Sequence, residues 1–151
     1  MGTTSLGADL EDLVRAQLKP HMEGDLRRIS ISGPRVNLAP GLATPFGLVI
    51  HELATNAAKY GALSVETGHV SLTWELLAGN EGQRLAVVWK EENGPPVKEP
   101  TRRGFGGTLI EGGIPGATAH RDFTVGGVVC TIEADLGRRG MDRTNTSRHK
   151  S

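Results

Sequence analysis

The 151-residue chain has one cysteine, few aromatic side chains (4%), no surplus of charge of either sign and no long apolar run. Each scarcity excludes something. The lone Cys130 excludes an internal disulfide and a cysteine-cluster metal site, and its place in an apolar alternation reads as a buried thiol. Lys plus Arg equals Asp plus Glu at 17 each, so the charge balance gives no reason to expect nucleic acid or an anionic membrane as a partner. No stretch approaches the ~18 apolar residues of a bilayer-spanning helix, and no charged-then-apolar leader opens the chain. No direct membrane insertion is expected. His21, His51, His69, His120 and His149 share no metal-ligand spacing, and no Gly-x-Ser-x-Gly elbow offers an acyl-transfer nucleophile. What is left is a cytoplasmic domain with a single core. Glycine, by contrast, is abundant at 21, so loops and close backbone approaches matter here.

Hydrophobic spacing divides the chain into residues 1–5, a start remnant, residues 6–136, the one domain, and residues 137–151, a basic disordered tail. Asp9 to Gln17 carries Leu10, Leu13, Val14 and Leu18 at helical spacing and stops before Pro20. Arg28 to Ser32 alternates as a strand and turns at Gly33-Pro34; Arg35 to Leu38 is a second short strand. A loop follows from Gly61 to Gly68. Val70, Leu72, Trp74 and Leu76 then share one face of a strand, Gly79 to Gly82 turns, and Leu85, Val87 and Trp89 share one face of the next. Asn93 to Arg103, rich in proline, is a loop. Ala117 to Thr124 and Val128 to Ala134 form a closing hairpin with Gly126-Gly127 at its tip. Strands split by helices and followed by antiparallel pairs give an α/β class: a two-layer sandwich, one mixed sheet with helices on one face.

The most informative stretch is His51 to Ser64, HELATNAAKYGALS. Thr44-Pro45 supplies an N-cap and a first-turn proline ahead of it and Gly61 a stop, which predicts a helix of about four or five turns. Glu52, Asn56 and Lys59 fall within a stripe roughly 60° wide, while Ile50, Leu53, Ala54, Ala57 and Ala58 form the apolar far side. An acid, a carboxamide and an amine in a row suit a metal-bound polyphosphate. A carboxamide oxygen is a hard ligand for Mg²⁺, an ammonium meets phosphate oxygens, and the acid accepts from a metal-bound water or serves as an outer ligand. The same row is also what the wet side of an amphipathic helix looks like.

This stretch resembles the asparagine box of the HWE group of bacterial sensor histidine kinases, named for a histidine in that box and a Trp-x-Glu further on. His51 supplies the first, Trp89-Lys90-Glu91 the second, and Gly104-Phe105-Gly106 a glycine box, in the same order. The resemblance runs from about Leu6 to Asp135. It implies that 6–136 is a histidine kinase catalytic domain of the GHKL superfamily with the Bergerat-type ATP-binding fold, taking ATP and Mg²⁺. It implies Glu52 and Asn56 as catalytic residues and Asn56 as the metal ligand. Asn56, Lys59, Tyr60, Glu91, Gly94, Gly104, Phe105, Gly106 and Thr108 are the expected ATP-binding residues. Gly104, Gly106 and Gly107 enter a short helix through Thr108 to Glu111, whose N-terminus faces the phosphates. Thr108 offers a hydroxyl there or simply caps the helix. Arg102 and Arg103 stand in the lid just before it.

Related kinases use an aspartate of an Asp-x-Gly-x-Gly box against the adenine amino group. Here the spelling is Glu91-Glu92-Asn93-Gly94-Pro95, and because strand neighbours point to opposite faces only one glutamate can face the base; Glu91 is the choice. Tyr60 lies against the base or ribose, or is a half-buried aromatic with a wet hydroxyl. His51 points about 100° away from Glu52 and serves packing or hydrogen bonding as readily as catalysis. The expected partners are a histidine-bearing dimerisation domain of the same kinase and a downstream response regulator. None of the five histidines sits in a phosphoacceptor segment, so an excised, monomeric catalytic domain is expected. The alternatives are an interaction module without turnover and a protein serine kinase on the same fold.

Overall fold

The computed structural model describes residues 7–22, 28–79, 82–95 and 112–136. Its elements are β1 (Ala8–Asp9), α1 (Leu10–Met22), β2 (Ile29–Ser32), β3 (Asn37–Leu38), α2 (Pro40–Lys59), a 3₁₀ turn (Ala62–Ser64), β4 (His69–Gly79), β5 (Gly82–Glu92), β6 (Ala117–Thr124) and β7 (Gly127–Leu136). β1 and β3 make a small antiparallel pair. The main sheet runs β2-β4-β5-β7-β6; β2 is parallel to β4, and every other neighbour is antiparallel. The sheet is therefore mixed, and both helices lie on one of its faces, as expected.

Helix α1 opens where Asp9 Oδ2 accepts from the Asp12 N–H at 3.1 Å, an N-cap that places Glu11 and Asp12 at the positive end of the helix. Leu10, Val14 and Leu18 are buried, one per turn. The expected stop before Pro20 is corrected: α1 continues to Met22 with Pro20 inside. The hydrogen bond that Pro20 cannot donate would go to Ala16, which lies on the exposed side of the helix.

Helix α2 starts earlier than expected. Ala39 is its N-cap residue, in extended conformation and without a side-chain cap, and Pro40 opens the first turn. Thr44 and Pro45 lie inside the helix. Pro45 is accommodated because its missing bond falls on Gly41, near the helix start, where the carbonyl is exposed. The buried stripe of Ala43, Phe46, Gly47, Ile50, Leu53, Ala54 and Ala57 passes Pro45 unbroken. Gly47 lets α1 come close: a Cβ there would sit 3.3 Å from Leu13 Cδ1.

In the sheet, Val70, Leu72 and Trp74 of β4 and Leu85, Val87 and Trp89 of β5 point into the core beneath the helices. Leu72 stands opposite Trp89, and Trp89 opposite Cys130, which is buried as expected. Trp74 is core too, and its indole donates to the Pro34 carbonyl at 2.7 Å. The closing hairpin turns at Val125-Gly126, with β7 beginning at Gly127 rather than Val128. Two short features differ from expectation: only Asn37–Leu38 of the 35–38 stretch is a strand, and the 61–68 loop contains the 3₁₀ turn. The expected helix at 108–111, most of the proline-rich loop and the basic tail lie outside the described residues.

Candidate functional site

The polar row of α2 is turned away from the core. Leu53, Ala54 and Ala57 are buried; Glu52 and Asn56 are half-buried and Lys59 is exposed. Among the described residues the side chains of Glu52, Asn56 and Lys59 have no hydrogen-bond or ion-pair partner. Carboxylate, carboxamide and ammonium are thus lined up on the outward side of one helix, the arrangement expected of a site on a preformed element. Tyr60 follows the helix and is 67% exposed, so the reading of a half-buried ring is corrected: its apolar face is open. The helix ends at Lys59, where the Tyr60 and Gly61 N–H groups donate to the Asn56 carbonyl at 2.8 and 3.2 Å. The stop does not use a left-handed glycine, since Gly61 has φ −112°.

Glu91 faces inward and Glu92 outward, in keeping with strand alternation. Glu91 is the one buried charged residue among those described, 3% exposed. Its Oε1 accepts from the Ala62 N–H at 3.0 Å and its Oε2 from the Trp89 indole at 3.0 Å. Trp89-Lys90-Glu91 is therefore one physical unit, in which the indole orients the carboxylate and the carboxylate fastens the start of the 3₁₀ turn. Glu92 stays on the other face, 3.4 Å from Lys90 Nζ and 3.9 Å from His69 Nδ1.

The backbone around this unit is crowded. A Cβ on Gly61 would stand 2.2 Å from Glu91 Oε1, and one on Gly94 would stand 2.6 Å from Ala62 Cα. Gly94 is further fixed by its N–H donating to the Gly126 carbonyl at 3.1 Å. Asn93 takes a left-handed backbone, φ 58°, where the Asp-x-Gly-x-Gly pattern has its first glycine; asparagine is among the few residues that tolerate it.

Of the expected site residues, the structure brings Glu52, Asn56, Lys59 and Tyr60 along one edge of α2, with Glu91 and Gly94 beneath the chain that leaves it. Gly104, Phe105, Gly106 and Thr108, with Arg102 and Arg103, lie outside the described residues. His51 is exposed, its carbonyl accepting from Thr55 Oγ1 at 2.9 Å, and its charge bears on His21 at the end of α1. Burial first, and His51 second, hold the His21 imidazole below its ordinary pKa. Sequence reasoning missed Arg28, placed only as the start of a strand. Its guanidinium donates to the carbonyls of Ala62 at 3.2 Å, Gly68 at 3.3 Å and Val65.

Comparison with known proteins settles the kinship. The blue-light-activated histidine kinase 1 of Erythrobacter litoralis is 40% identical over 129 residues, 82% of this chain and 34% of that protein. The blue-light-activated histidine kinase of Brucella ovis is 36% identical over 104 residues, 69% of this chain and 21% of that protein. The chain belongs to the histidine kinases.

Solved structures show the same fold at low identity. The histidine kinase domain of the Erythrobacter litoralis EL346 protein aligns with a TM-score of 0.62 at 17% identity, covering 87% of this chain and 61% of that one. The ATP-binding domain of PrrB from Mycobacterium tuberculosis aligns at 0.53 and 19%, covering 87% and 96%. No family model matches the chain. The chain spans about a third of the Erythrobacter histidine kinase it matches. No described helix is long and apolar enough to cross a membrane.

Proposed function

We propose that this histidine kinase domain binds ATP with Mg²⁺ and presents the γ-phosphoryl to a histidine on a dimerisation domain, with a response regulator downstream. The reading rests on one observation: Glu52, Asn56 and Lys59, without side-chain partners among the described residues, stand on the outward side of a helix whose other side is core. These groups fit the proposed ligand. The Asn56 carboxamide offers one hard oxygen, Glu52 accepts from a metal-bound water, and Lys59 meets phosphate oxygens. Mg²⁺, when bound, neutralises phosphate charge. The protein's part is orientation, which carries most of the catalysis in phosphoryl transfer.

Glu91 would accept from the adenine amino group with the lone pairs left over from Ala62 and Trp89. Gly94 would bring the backbone near the base, and Tyr60 would cover it. We assign Gly104, Phe105, Gly106 and Thr108 to the phosphate lid by their motif. His51 and Trp89-Lys90-Glu91 support placement in the HWE group. The domain is proposed to be cytoplasmic and monomeric by itself.

The test has two stages. An ATP analogue should bind in a Mg²⁺-dependent way by calorimetry; no binding would leave an interaction module. Joined to a histidine-bearing helical segment, the domain should transfer an acid-labile phosphate to it. An acid-stable phosphate on a protein partner would identify a serine kinase instead.

A further inference from the structure

The chain that leaves α2 is held more firmly than a surface loop requires. The peptide of Ala62 is gripped from both sides: Glu91 Oε1 takes its N–H at 3.0 Å, and Arg28 Nη2 donates to its carbonyl at 3.2 Å. The same guanidinium reaches the Val65 and Gly68 carbonyls, so one side chain gathers three acceptors from the 62–68 loop. These bonds are charge-assisted, hence stronger than neutral ones, and those to Ala62 and Gly68 are partly buried, while that to Val65 is exposed. The loop's own backbone bonds are few: Ser64 N–H to the Gly61 carbonyl and Gly68 N–H to the Val65 carbonyl. Its shape is imposed from outside.

We propose that Arg28 is a positioning residue of the nucleotide site: by clamping the 62–68 loop against Glu91 it fixes the end of α2, and with it Asn56 and Lys59. This rests on the reading of the α2 row as the Mg²⁺–phosphate site. The geometry supplies the link. Gly61 joins the two parts directly, since its N–H donates to the Asn56 and Ala57 carbonyls at 3.2 and 3.0 Å and its own neighbour Ala62 is the clamped residue. If the clamp is released, Gly61 loses its fixed position and the last turn of α2 frays. That turn carries Asn56 and Lys59. The planar fork matters because three carbonyls are met from one group; a lysine keeps the charge and loses the fan of donors.

The experiment is calorimetric titration of a non-hydrolysable ATP analogue, with and without Mg²⁺, into the unmodified domain, Arg28→Met and Arg28→Lys, each first shown to be folded by thermal melting. Arg28→Met is expected to weaken Mg²⁺-dependent binding about tenfold, the scale of outer-shell losses at metal sites, and Arg28→Lys by less. Binding without Mg²⁺ should change less than binding with it. If Arg28→Met does not fold, Arg28→Lys carries the test with the same expectation. An affinity equal to the parent's, or equal proportional loss with and without Mg²⁺, overturns the proposal and leaves Arg28 as support for the fold. A parent domain that binds nothing defeats the nucleotide reading itself, and the clamp's purpose with it.

Discussion

The two ends of α2 are built differently. At its start, Ala39 leaves the first N–H groups without a side-chain cap, and the helix relies on Pro40 and on the burial of Ala43 and Phe46. At its finish, Arg28 from before β2 and Glu91 from β5 converge on Ala62, and Trp89 orients the glutamate. Burial alone keeps a helix in place. The added polar fastening is at Ala62, three residues beyond Lys59, where the outward polar row ends. The difference teaches that the precision of this domain is concentrated at the C-terminal end of α2, the end proposed to meet phosphate.

Breaking the fastened end should cost most. Glu91→Ala strands two buried donors, the Ala62 N–H and the Trp89 indole, and is expected to destabilise the domain by about 3 kcal/mol in chemical denaturation. A loss below ~1 kcal/mol would show that Glu91 serves the ligand rather than the fold. The plain end should respond in the other direction. Ala39 already has the extended backbone of an N-cap, φ −63° and ψ 156°, so Ala39→Asp is expected to stabilise by about 1 kcal/mol, read as a higher melting temperature. No gain would mean that the start of α2 is set by packing alone.

The smallest effect concerns His21, beside the middle of α2 through His51. Its folded pKa is lowered, by burial and then by His51. The unfolded chain therefore takes up a proton before the folded one does. Its contribution to stability is complete above the ordinary value of about 6.5 and is lost as pH falls through the depressed folded value. His21→Gln should flatten the fall of melting temperature on acidification from about pH 7 to 5; an identical fall would place the sensitive group elsewhere.

What the sequence disclosed, and what it hid, follows from range. The β4–β5 hairpin was legible because Val70, Leu72, Trp74, Leu85, Val87 and Trp89 alternate over long strands, and the same parity carries Glu91 inward. The outward row of α2 was legible from helical spacing. The start of α2 was misread because Thr44-Pro45 imitates a first turn, although apolar spacing at Ala43, Phe46 and Gly47 continues upstream through it. β1 and β3 hold two residues each, too few for any period to show. The role of Arg28 could not be read at all: its acceptors are backbone carbonyls 34 to 40 residues away, which carry no letter in the sequence.

The most direct test of the central claim is Asn56→Ala, compared with the parent domain by titration of an ATP analogue in the presence of Mg²⁺ and by thermal melting. The side chain has no partner among the described residues, so stability should stay within about 0.5 kcal/mol while most of the Mg²⁺-dependent affinity disappears. Unchanged Mg²⁺-dependent binding in the folded variant would contradict the account and move the metal away from α2.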